Sequence, residues 1–217
     1  MRNYFKAAGF GLGAALLLSS TAQAQTTVQA TADLNVRSGP GPQYEVVGVI
    51  PQGGDASVMG CNSTGKWCSV SVGSVDGWAY SDYLTASVEG QPMVVTKLPQ
   101  SQAVPVVEYD GSANTATGAV GGAVVGALIG GPIGAAIGGA AGAAIGANTP
   151  PPDNVRNYVI ENRPEPVYLD GEVVVGAGLP ETVELRTIPD YQYRYVYVNG
   201  VPALVDPGTR RIVYVYR

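Results

Sequence analysis

No histidine occurs among the 217 residues of this chain. The commonest general base and the commonest metal ligand are therefore missing. Charge is sparse as well: Asp, Glu, Lys and Arg make up 13% of the residues, the net charge is −5, and no run of Lys or Arg appears. A nucleic-acid binder needs a basic patch, and anionic lipid attracts cationic segments, so this charge pattern favours neither partner. Only Cys61 and Cys68 offer thiols, and a cysteine nucleophile needs a nearby base that the composition does not supply. Glu161, Glu165, Glu181 and Glu184 fall beside prolines and turns, not as two carboxylates facing across a cleft as glycoside hydrolysis requires. The expectation is a protein that is not an enzyme, with no cofactor, no metal and no nucleic-acid partner.

Glycine (30 residues) and proline (16) are abundant, and they divide the chain into unlike segments. Residues 1–24 read as a secretory signal: Arg2 and Lys6, then apolar Ala7–Leu18, then Ala22-Gln23-Ala24 as a small-x-small cleavage site. The competing reading is an uncleaved anchor, but the apolar stretch is shorter than a membrane span. Export places Cys61 and Cys68 in an oxidising compartment, where a disulfide is expected. Closing so short a loop is worth about 2–3 kcal/mol in the chain-entropy model.

Residues 25–88 hold short alternating stretches broken by turn signals, the pattern of a small barrel. Asp33–Pro42 (DLNVRSGPGP) and Val75–Leu84 (VDGWAYSDYL) carry the sharpest signal. Together they resemble the bacterial SH3 (SH3b) domain. That resemblance implies a small β-barrel holding peptidoglycan or an envelope protein in a shallow groove. Arg37, Tyr44, Trp78 and Tyr83 are the candidate groove wall, because aromatics and Arg carry much of the energy at such sites. The plainer alternative gives Asn35 and Arg37 the task of bracing the Ser38–Pro42 loop and places Trp78 in the core.

Residues 89–116 mix Pro, Gln, Ser, Val and Gly without period and read as a linker. Residues 117–147 are apolar and uncharged, with glycine at 118, 122, 126, 130, 134, 138, 142 and 146. Residues four apart share a helix face, so Gly118, Gly122, Gly126, Gly130, Gly134, Gly138, Gly142 and Gly146 would form the small-xxx-small surface of helices packed in a membrane. The run resembles the glycine-zipper segments of bacterial envelope proteins. Gly130-Gly131-Pro132 favours a hairpin of two helices over one kinked helix; a flexible Gly/Ala linker is the remaining reading.

Residues 148–155 form a second linker, with Asp153 a candidate N-cap for a short helix. In residues 156–217, Tyr191–Val198 alternates with Tyr193, Tyr195 and Tyr197 on one face. Asn199-Gly200 follows as a hairpin turn, and Val201–Val205 and Arg211–Tyr216 complete a meander. The tyrosine row is either a binding face or cross-strand packing. YVIENRPEPVYLDGEVVVGAGLPETVEL and YRYVYVNGVPALVDPGTRRIVYVYR resemble the exported-protein domain of unknown function DUF1236, which implies no activity.

The expected fold is mainly β with a helical insert: an SH3b-like barrel, a glycine-zipper α-helical hairpin, and a small α+β domain with an antiparallel meander. The expected role is that of a membrane-associated periplasmic or cell-envelope protein whose barrel binds peptidoglycan or a wall-associated partner. The alternative is a homo-oligomeric membrane assembly or pore driven by the glycine zipper.

Overall fold

The computed structural model of the protein describes residues 25–109, 124–128 and 150–217. The expected signal segment lies outside the described residues, as do Gly118, Gly122, Gly130, Gly134, Gly138, Gly142 and Gly146 of the glycine row.

The first region is one antiparallel sheet. Its strands are β1 (Thr26–Ala30), β2 (Leu34–Arg37), β3 (Val46–Ile50), β4 (Asp55–Cys61), β5 (Trp67–Val72), β6 (Val75–Tyr80), β7 (Leu84–Val88) and β8 (Gln91–Val94). The spatial order is β3-β2-β6-β5-β4-β1-β7-β8. Seven of these strands send side chains into one core, among them Val28, Leu34, Ile50, Val58, Val70, Ala79 and Leu84. The sheet therefore wraps around its own interior. β8 pairs with β7 from Thr85↔Val94 to Val88↔Gln91, so the sheet continues past the point where a linker was expected to start.

The disulfide joins Cys61 to Cys68. The two residues face each other in the β4–β5 ladder, on either side of the hairpin loop. Gly77 is required where β6 crosses β2. A Cβ there would stand 2.6 Å from both the Arg37 carbonyl oxygen and Val36 Cγ1.

The C-terminal region begins with helix α1 (Asp153–Glu161), whose cap position is taken by Pro152 and not by Asp153. After the short strand β10 (Tyr168–Asp170) come β11 (Arg186–Thr187), β12 (Arg194–Val198), β13 (Val201–Val205) and β14 (Ile212–Val215), paired in that order as an antiparallel sheet. Asn199 (φ 52°) and Gly200 (φ 77°) turn β12 into β13, the two left-handed positions that a type I′ hairpin demands. Alternation along β12 splits its side chains. Tyr195 and Tyr197 pack with Val155 and Val159 of α1, while Val196 and Val198 join the core shared with the first region.

The helical hairpin is corrected in its first arm. Val124–Leu128, which includes Gly126, is strand β9, and it pairs in parallel with β10. Helix formation penalises glycine at every fourth position, whereas β-branched Val124 and Val125 suit a strand. The neighbouring strand β10 takes up backbone hydrogen bonds that a helix would have made within itself. Among the described residues, no helix is long and apolar enough to cross a membrane.

Candidate ligand-binding site

Strand β2 decides how the two regions meet. Its alternation turns Leu34 and Val36 into the sheet's own core and Asn35 and Arg37 to the opposite face. That face is not open: Asn35 is 0% and Arg37 1% exposed. They meet Glu172, itself fully buried, from the C-terminal region. Arg37 Nε donates to Glu172 Oε2 at 2.5 Å, and Nη2 donates to Oε1 at 2.7 Å. Oε1 also accepts from Asn35 Nδ2 at 3.0 Å and from the Val173 N–H at 2.8 Å. The remaining nitrogen of Arg37, Nη1, donates to the carbonyls of Pro42, Tyr44 and Asn199. Asn199 in turn accepts from the Leu169 N–H and donates to the Gly171 carbonyl. A buried charge survives in a protein only when it is paired and its hydrogen bonds are met, and both partners here meet that condition.

Arg37, expected on a groove wall, thus holds the domains together and shapes the Pro42–Tyr44 loop from beneath. Asp33 and Asn35 receive a second cation: Arg217 Nε donates to Asn35 Oδ1 at 3.1 Å, and Nη2 donates to the Asp33 carbonyl at 2.6 Å. Loss of water lowers the pKa of this guanidinium, and Asp33 opposes the shift. Lys66 pairs with Asp170 at the surface of the same junction.

The other nominated residues are aromatic. Tyr44 is half-buried, while Trp78 (7% exposed) and Tyr83 (3%) are buried. Trp78 lies opposite Arg37 in the β2–β6 ladder. Tyr44 and Trp78 are brought together through Tyr109, whose ring stands edge-on to both at 5.5 and 5.6 Å. Burial first, and then Tyr109 beside it, push the Tyr44 phenol above its usual pKa. Tyr83 packs on Tyr80 instead, with ring centroids 6.3 Å apart. Its pKa is raised by burial and then by Asp82.

Beside Tyr44 a cleft of about 750 Å³ opens between the two regions. One wall is Gln43–Val49, including edge strand β3, whose Val47 is 44% exposed. The other wall carries Tyr168, Gly200–Pro202, Tyr216 and Arg217. Sequence reasoning missed Glu172 and Tyr109. Glu172 stands alone before Val173–Val175, an isolated acid at the head of an apolar run, and that was the available signal. Tyr109 lies in a stretch that carries no periodicity.

A wrapped antiparallel sheet of short strands with an aromatic-rimmed cleft defines a small binding module of the SH3 type. Residues 32–85 match the family described as "Bacterial SH3 domain", so the first region is such a domain. Residues 158–217 match "Domain of unknown function (DUF1236)". The chain is also similar to the "Putative N-acetylmuramoyl-L-alanine amidase YrvJ" of Bacillus subtilis (strain 168), with 43% identity over 68 residues. That match covers 31% of this chain and 13% of the relative, so the chain spans only a small part of that protein's length. No solved structure matches the chain.

Proposed function

We propose that this chain is a non-catalytic cell-envelope protein that holds peptidoglycan, or a partner attached to it, at the cleft between its two regions. The observation that carries the proposal is the bacterial SH3 domain at residues 32–85. The relative named as a muramoyl-alanine amidase supports a wall ligand, since its chemistry is directed at the wall and the shared segment is a small part of it. A cleft of this size suits a short peptide or a disaccharide.

In this reading Tyr44 makes the principal ligand contact, and Tyr109, held edge-on between it and Trp78, backs its ring. Tyr83 supports the strand pair behind them. Arg37 positions the loop through the Pro42 and Tyr44 carbonyls. Residues 1–24 supply the route to the envelope. Membrane attachment through the glycine row is not part of the proposal, because Gly126 lies in β9.

The test uses the chain from residue 25 onward with both domains present, because the first domain alone lacks Glu172, the partner of Arg37. Incubated with purified sacculi, it pellets saturably at tens of micromolar, as a small interface allows. Tyr44→Ala lowers that affinity roughly tenfold. Protein that stays in the supernatant overturns the wall ligand, and release of soluble wall fragments overturns the non-catalytic reading.

A further inference from the structure

The last three residues of β4 lie beyond the reach of β1, whose ladder with β4 ends at Thr26↔Val58. A different segment takes the vacated edge. The Cys61 N–H donates to the Pro105 carbonyl at 2.9 Å, and the Val107 N–H donates to the Cys61 carbonyl at 2.8 Å. Cys61 and Val106 thereby form a parallel bridge. Gly60 admits the segment: a Cβ there would lie 2.3 Å from Val107 Cγ1 and 2.8 Å from the Pro105 carbonyl oxygen. Three residues past the bridging Val106 the chain places Tyr109 against both Tyr44 and Trp78. Val104, Val107 and Tyr109 pack on the core from outside, whereas Val106 is 70% exposed.

We propose that this groove, from the Cys61 edge to the Tyr44–Trp78 pair, is a peptide-recognition site whose resting occupant is the chain's own Val104–Tyr109. Its form is strand addition: main-chain hydrogen bonds hold an extended segment, and pockets for alternate side chains select it. The partner it fits is an extended segment of a protein, built from Val and Pro, with an aromatic residue three positions beyond the paired valine. The occupant is held by few contacts. Two hydrogen bonds, two valines and one ring make a small surface compared with the shared core of the two domains, so a competing segment can exchange with it. The Cys61–Cys68 disulfide fixes the edge that both would use.

A tethered segment acts at a local concentration of about 1 mM, so the free peptide needs only a comparable affinity to hold the site. The probe is a synthetic peptide spanning residues 103–109 (AVPVVEY). It is titrated into the chain from residue 25 onward carrying Tyr109→Ala, and the Trp78 indole N–H resonance is followed. A saturable shift is expected with half-saturation at roughly 1 mM or below. The wild-type chain, with its site filled, responds at least about tenfold more weakly. Gly60→Val combined with Tyr109→Ala abolishes the response while the amide spectrum of β12 stays folded. No saturable shift in folded Tyr109→Ala protein up to about 5 mM, or an equal shift with Gly60→Val, overturns the proposal. The titration contains no wall material, so its failure and that of the wall-binding reading are separate results.

Discussion

The first domain is gripped by the rest of the chain at two places, and the two grips are built from different chemistry. At Arg37 and Glu172 the contact is ionic, fully buried, and satisfied at every polar atom described above. At Cys61 and Tyr109 it is two backbone hydrogen bonds and aromatic edges, with the neighbouring Val106 open to water. Opening the first grip also exposes the apolar core that the two regions share around it, so it carries a penalty far above thermal energy. The second loses only bonds that water can replace. One is suited to permanence and the other to exchange.

The comparison breaks first at Glu172. Glu172→Ala leaves Arg37 buried without a counter-charge and is expected to cost about 3–5 kcal/mol in urea unfolding. A loss below about 1 kcal/mol would place the guanidinium in water and dissolve the contrast. Tyr109→Ala comes next. Its edge contacts are worth about 0.5–1.5 kcal/mol each beyond area, so amide exchange at Val107 accelerates about tenfold or more while global stability falls much less than for Glu172→Ala. Lys66→Ala is the smallest change. Lys66 and Asp170 also bridge the domains, but the lysine side chain is 46% exposed, and such pairs contribute at most about 1 kcal/mol. A double-mutant cycle with Asp170→Ala measures that coupling.

Much of this architecture could be read from local sequence. The Asn199-Gly200 turn and the start of the helix near Asp153 are short-range matters of backbone preference and are found where the sequence places them, whereas the strand expected over Tyr191–Val198 begins only at Arg194 and leaves Tyr193 outside it. The two motifs of the first domain also sit on adjoining strands, β2 and β6. What was not legible is pairing at a distance. Glu172 lies 135 residues from Arg37, and nothing local marks the two as partners. Tyr109 reached the candidate site from a segment whose composition suggests only a connector. The spacing of Gly126 with its neighbours pointed to a helix face, yet the residue lies in β9, paired with Tyr168–Asp170 from far along the chain.

The permanence of the ionic grip is tested most directly by asking whether the two domains unfold together. Trp67 and Trp78 are the only tryptophans, and both lie in the first domain. Their fluorescence therefore reports that domain alone. Hydrogen exchange of peptides covering β12 and β13 reports the other. Measured across a urea series on the chain from residue 25 onward, the two probes should give coincident midpoints, because the two regions share one apolar core around the Arg37–Glu172 pair. Loss of β12 protection at a clearly lower urea concentration than the tryptophan transition would contradict this, and Arg37 would return to the candidates for direct ligand contact.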